Sequence, residues 1–175
     1  IGMPAPAVQA VTLALSALTA HSRLYLRGHG DWEHATLGGW SPRQVAACLL
    51  KCGLALSPEM ISVTGCQCAR AVAPGKEGNS FASFQEKSRA EATLLERSTF
   101  SFAGQLHARL CTRGITSPVY GRIYTLTVVG AFNDEGLESG QKITATPARI
   151  ARHHRRHSKI RFDWNGGFPT QTWAY

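Results

Sequence analysis

The chain has no apolar run long enough to cross a bilayer, so nothing in its 175 residues reads as a membrane span. Residues 5–20 come nearest, but the stretch is too short and lacks the basic segment that opens a secretory signal. No internal repeat is evident, which argues against a solenoid or propeller. Acidic residues are scarce: 11 Asp and Glu stand against 19 Lys and Arg, for a net charge of +8. Regular disulfide spacing is also missing. Cys48, Cys52, Cys66, Cys68 and Cys111 are an odd set, which suits a reducing environment better than an extracellular scaffold. Zinc is disfavoured, because a helix-borne pair joined to a Cys-x-Cys is not a common knuckle and ligation would consume an apolar helix face. Cys48, Cys52 and Cys111 are expected to be small core residues. Zinc-finger and RNA-recognition signatures are absent, as is an array of stacking aromatics.

What remains is an ordinary globular composition, 43% hydrophobic, at a length that predicts one domain burying about two-thirds of its unfolded surface. Ile1-Gly2-Met3 is compatible with an internal boundary, so the chain is a candidate fragment of something larger. Val8, Val11, Leu15 and Leu18 fall on one helical stripe and predict an amphipathic core helix.

Two short β-type runs carry the chemistry. Leu24-Tyr25-Leu26-Arg27-Gly28-His29-Gly30 ends in a glycine-flanked histidine, and Ile61-Ser62-Val63-Thr64-Gly65-Cys66 ends in a cysteine. Between them Ser41-Pro42 is a helix start, with a hydroxyl to cap free amides and a proline at N1. Val45, Cys48, Leu49 and Cys52 make one apolar face, and Gly53 is a C-terminal stop. The order strand, helix, strand predicts a βαβ unit with parallel strands. Reactive groups in such sheets gather outside the carboxyl ends of neighbouring strands, so His29 and Cys66 are expected to meet. A thiol and an imidazole there suit nucleophilic acyl transfer, with Cys66 attacking and His29 moving the proton. The backbone amides of Gly30 and Cys66 are candidates for an oxyanion hole. Asp31 is a candidate to orient His29, or a plain exposed loop aspartate. Either motif alone is common, and a turn histidine or a packing cysteine is the bland alternative. Their joint placement on two predicted parallel strands carries the weight.

This pattern resembles the caspase-like (clan CD) cysteine peptidases. Arg27-Gly28-His29-Gly30, Gly38-Gly39-Trp40-Ser41 and Ile61-Ser62-Val63-Thr64-Gly65-Cys66 are most similar to the autoprocessing cysteine protease domain of multifunctional repeats-in-toxin proteins and large clostridial glucosylating toxins. The resemblance runs from about residue 24 to 69 and returns at Lys159-Ile160-Arg161-Phe162-Asp163-Trp164, which looks like the family's final strand after its β-flap. Two features depart from it. Only residues 1–20 precede the first catalytic strand, where the family has a longer basic region. Gln67-Cys68 also adds a second thiol, a packing group or a redox partner.

The resemblance implies an α/β fold: a caspase-like three-layer sandwich with a mostly parallel central sheet and a C-terminal β-flap hairpin. The single domain, residues 1–175, divides into an N-terminal helix (1–20), a catalytic core (21–114), a β-flap and basic segment (115–164) and a tail (165–175). Residues 73–80 read as an exposed loop and 81–97 as partly helical. Phe102, Leu106 and Leu110 predict a helix ending near Gly114, with His107 on its surface. Residues 122–129 and 141–146 predict a hairpin about a turn at 133–136.

Arg149, Arg152, Arg155, Arg156, Lys159 and Arg161 crowd together with His153, His154 and His157. A solvated basic face, a polyanion pocket and a nucleic-acid stripe compete as readings. The resemblance favours the second, because the toxin domains are activated by inositol hexakisphosphate beside the flap. Arg122, Lys142, Arg152, Arg155, Arg156 and Lys159 are the candidate ligands. The implied function is an autoprocessing cysteine endopeptidase of a secreted bacterial toxin or effector working in a host cytosol. Its substrate would be a protein or peptide, including the parent chain in cis, and neither a membrane nor a metal is implied. The alternatives are a catalytically silent caspase-like module that binds polyanions or proteins, and a basic nucleic-acid-binding domain, which is disfavoured.

Overall fold

The computed structural model describes residues 4–71, 84–123, 126–127, 144–145 and 159–174. They form a mixed α/β unit around a five-stranded sheet. Its strands are β1 (Arg23–Arg27), β4 (Met60–Thr64), β5 (Val119–Arg122), β8 (Lys159–Asn165) and β9 (Phe168–Ala174), in that spatial order. β1, β4 and β5 run parallel, and β8 and β9 continue the sheet antiparallel.

The βαβ unit forms as the spacing predicts. α2 (Pro42–Lys51) lies between β1 and β4 in the chain, and Ser41 caps it in a full capping box. Ser41 Oγ accepts the Gln44 amide at 3.3 Å, and Gln44 Oε1 accepts the Ser41 amide at 2.9 Å. Two free donors are satisfied reciprocally, a device typically worth ~1 kcal/mol. A small hairpin of β2 (Gly30–Asp31) and β3 (Thr36–Leu37) precedes this helix.

Side chains alternate across the sheet. Leu24, Leu26, Ile61, Val63, Val119, Ile160 and Phe162 belong to one continuous core, and α4 (Phe102–Cys111) packs on that face through Phe102, Leu106 and Leu110. Leu15 of α1 (Ala5–Ser16) joins the same core, with Val8, Val11 and Leu18 packed against it. Cys48, Cys52 and Cys111 are buried, and α3 (Phe84–Arg97) is continuous helix.

Residues 168–174, assigned above to a tail, instead make the last strand of the sheet. Asn165 pairs with Phe168 across a two-residue loop, with Gly166 at φ +59° and Gly167 at φ +89°. Positive φ at both loop positions is the geometry that matches strand twist in a tight hairpin. Of the predicted flap hairpin, β6 (Leu126–Thr127) pairs antiparallel with β7 (Thr144–Ala145). The remainder of 124–158, including Lys142, Arg152, Arg155, Arg156 and the turn at 133–136, lies outside the described residues, as does 73–80.

His107 is not at the surface. It is 1% exposed, 3.3 Å from Cys111 Sγ through Nε2, with its ring centroid 6.4 Å from Phe162 and 6.5 Å from Trp164. Helical periodicity placed it correctly, but the strand that buries it is more than fifty residues away in sequence. Burial lowers its pKa below the ordinary 6.5, against a smaller upward pull from Asp163. The unfolded chain therefore binds this proton at a higher pH than the native state. Stability from neutral His107 is present above about pH 6.5 and is lost as pH falls. Urea midpoints should drop between about pH 7.5 and 5, and His107→Leu should flatten that slope.

Candidate active site

Arg27 lies opposite Thr64, so β1 and β4 release the chain at the same end of the sheet. Gly28 and His29 follow on one side, Gly65 and Cys66 on the other. The two loops interlock through backbone. A Cβ on Gly30 would overlap the Cys66 carbonyl oxygen and lie 2.7 Å from Cys68 Sγ. A Cβ on Gly65 would lie 2.8 Å from the Gly28 carbonyl oxygen and 2.7 Å from Leu37 Cδ1. Both positions take only a hydrogen, so space rather than an unusual φ requires glycine here. Leu37, 7% exposed, wedges against both strand ends and closes the contact from the core side.

His29 is exposed, and its carbonyl accepts the Gly38 amide at 2.6 Å, which ties the histidine loop to the Gly38-Gly39 turn. Asp31 does not serve His29. Its Oδ2 lies 2.7 Å from His34 Nδ1, and its Oδ1 accepts the amides of Glu33 at 2.9 Å and His34 at 3.2 Å. The hydrogen bond to His34 lowers the Asp31 pKa and raises that of His34. The carboxylate closes its own β2–β3 turn.

Among the five thiols Cys66 alone is not buried. Cys68 is 1% exposed, and burial, with a smaller contribution from Cys66, pushes its pKa up to about 12. Cys111 is raised to about 11 by burial, and Cys48 is raised by burial and then by Cys52. Those three thiols stay protonated at neutral pH and are poor nucleophiles. Accessibility thus distinguishes Cys66, the expected nucleophile because it directly follows Gly65, from Cys68.

The turn that carries Cys66 is held from three sides. Ala103, in the first turn of α4, donates its amide to the Cys68 carbonyl at 2.9 Å. Ala69 donates to the Arg122 carbonyl at 2.8 Å, and Arg70 donates back to Gln67 at 2.9 Å. Arg70, 2% exposed, also reaches the Ile123 carbonyl through Nη1 at 3.3 Å. Gln67 takes φ +54°, a conformation side chains disfavour. Leu37, Gln67 and Arg70 were not among the residues the sequence singled out. A charged residue close behind a candidate nucleophile was a signal for Arg70; nothing in the sequence signals the φ of Gln67.

Two of the six candidate polyanion ligands fall within the described residues, and they meet. Arg122 and Lys159 are register partners on adjacent antiparallel strands, both half-buried. Burial lowers the pKa of each, and Arg122 lowers that of Lys159 further. Like charges directly opposite on a sheet are destabilising, and an anion between them would relieve the pair. Among the described residues no group of three or more His, Cys, Asp or Glu side chains could hold a metal ion, and no helix is long and apolar enough to cross a membrane.

No family model matches the chain, and a search of curated proteins finds no match.

Replacing Gly30 by alanine tests the interlock. The added methyl must displace the Cys66 carbonyl, so the substitution should cost about 1–3 kcal/mol of stability, as overpacking does. It should also slow iodoacetamide alkylation of Cys66 relative to the wild type, read by peptide mass mapping.

Proposed function

We propose that the chain is a cysteine endopeptidase of caspase-like, three-layer architecture. One observation carries the reading: adjacent parallel strands end level with each other, one in a glycine-flanked histidine and the other in the most accessible thiol of the chain. The Cys66 proton passes to His29 as Sγ attacks the scissile carbonyl, and the amides of Gly30 and Cys66 receive the oxyanion. His29 donates a proton to the leaving amine, which leaves a thioester on Cys66. Water activated by His29 then hydrolyses that thioester. Autoprocessing in cis, and the setting of a secreted bacterial toxin or effector in a host cytosol, come with the resemblance to the toxin domains.

The test is peptide-mapped labelling by a peptidyl electrophile, beside turnover of a peptide library. Cys66 should be the labelled residue. Cys66→Ala should abolish cleavage, and His29→Ala should lower kcat by about 10²–10⁴-fold. A Cys66 that stays inert to the electrophile overturns the reading.

Arg122 opposite Lys159 supports regulation by a polyphosphate such as inositol hexakisphosphate. It is also the observation that favours the second reading, a catalytically silent polyanion-binding module. The Ala69–Arg122 hydrogen bond joins this pair to the Cys66 turn, so filling the basic site would order the turn by shifting a population. Lys159→Met should stabilise the unliganded chain by roughly 0.2–1 kcal/mol, because it removes a like-charge pair. The same change should shrink the rise in Tm on adding the polyphosphate. An unchanged rise would place the anion elsewhere.

A further inference from the structure

Cys68 has no part in acyl transfer, yet it sits directly behind the proposed nucleophile. The point that a Cβ on Gly30 would occupy is 2.9 Å from the Cys66 carbonyl carbon and 2.7 Å from Cys68 Sγ. The buried sulfur therefore folds back towards the residue two positions before it. Gln67 between them, at φ +54°, makes that possible. A residue in the left-handed region turns the chain as tightly as a helix does, which sets the flanking Cα atoms about 5.4 Å apart. That falls inside the roughly 4.4–6.8 Å a disulfide accepts, whereas an extended residue would set them near its far limit at about 6.6 Å. The turn at Gln67 thus sets the two cysteine Cα atoms at a spacing that a disulfide accepts.

We infer that Cys66 and Cys68 form a reversible oxidation site whose substrate is a hydroperoxide and whose product is a Cys66–Cys68 disulfide masking the nucleophile. The inference needs Cys66 only as a reachable thiol and stands apart from the peptidase reading. The Cys66 thiolate attacks a peroxide oxygen, the O–O bond breaks, and the other oxygen leaves as hydroxide or alkoxide. Cys66 is left as a sulfenic acid. The Cys68 sulfur then attacks the Cys66 sulfur, the S–S bond forms as the S–O bond breaks, and the Cys68 proton leaves with that oxygen as water. Two electrons pass from the two thiols to the peroxide, and an external thiol reverses the bond by exchange.

Unequal burial assigns the roles. Half-buried Cys66 meets the oxidant, while Cys68, 1% exposed, is shielded from it. The same burial keeps Cys68 protonated, so its part is confined to the neighbouring sulfenic acid. Intramolecular capture of that kind protects a thiol from irreversible oxidation to the sulfinic acid.

The experiment treats the whole chain with one equivalent of hydrogen peroxide, with and without dimedone, and maps tryptic peptide 52–70. In the wild type this peptide should lose two hydrogen atoms, fragment ions should place the bond between Cys66 and Cys68, and dithiothreitol should restore it. In Cys68→Ser the bond cannot form, and the dimedone adduct on Cys66 should rise roughly tenfold over wild type. The wild-type map alone decides the matter if the variant fails to fold. A bond from Cys66 to Cys52, equal dimedone adducts in both proteins, or a peptide unchanged by peroxide overturns the inference. Cleavage activity enters none of these readouts, so a failed peptidase reading and a failed oxidation site are distinguishable.

Discussion

The contact on which the rest of the site depends is the approach of two parallel strand ends closer than side chains permit. Gly30 lies against the Cys66 carbonyl and Gly65 against that of Gly28, each where a methyl would collide with backbone. Backbone cannot rotate away as a side chain does, so these positions fix the distance between the histidine loop and the cysteine turn. Leu37 closes the contact from the core side, and Cys68 fills the space left behind it. Parallel pairing supplies the coarse alignment, and the glycines supply the last few ångströms. Catalysis by positioned groups is sensitive at that scale, since misplacement by about 1 Å can cost a hundredfold.

Among the described residues, charged side chains occur in two contrasting settings. Arg23 pairs with Glu59 at 3.0 Å with both side chains about half exposed, and Arg161 pairs with Asp163 at 2.7 Å while lying 5.8 Å over the Tyr120 ring. Exposed pairs of this sort contribute little, typically ~0–1 kcal/mol, because water screens them. Arg122 and Lys159 differ in sign and setting: two cations are set opposite each other and partly withdrawn from water. A fold that needed only stability would place an apolar or acidic residue at one of these positions. The juxtaposition suits the anion proposed above, and Arg149, Arg152, Arg155, Arg156, Lys159 and Arg161 supply much of the high net charge.

The central unit was legible because each of its signals is local. Ser41-Pro42 starts a helix, Gly53 stops it, and two β-type runs flank it. Those rules involve neighbours in sequence, and the structure follows them. The β8–β9 hairpin carries a local signal as well, Asn165-Gly166-Gly167 between β-type runs, and residues 168–174 form a strand rather than the expected tail. Other features were hidden because distant partners decide them. His107 is buried by Phe162 and Trp164, and Asp31 is taken by His34 because a short β2–β3 turn brings them together. The place of Cys66 directly after Gly65 favours it over Cys68 in the sequence, but the difference in burial between the two thiols is set by the packing around them. The φ of Gln67 is set by three hydrogen bonds around the turn and leaves no trace in residue type.

How strongly the basic pair can act on the nucleophile turn follows from the links between them. The Ala69–Arg122 hydrogen bond is one link, and the Arg70–Ile123 contact is a second. A hydrogen bond contributes about 0.5–1.5 kcal/mol net, and one from a charged donor about 1.5–3. A single neutral bond that forms only when the basic site is filled would shift the turn between two arrangements by about tenfold at most, since 1.4 kcal/mol is one decade. Both links together reach ~2–4.5 kcal/mol, or about 30- to 2,000-fold. The proposed gating by a polyphosphate, if strong, would therefore require Arg70 to move with the turn. A guanidinium buried to 2% exposure suits that role, because close-packed surroundings switch between discrete arrangements rather than deform gradually.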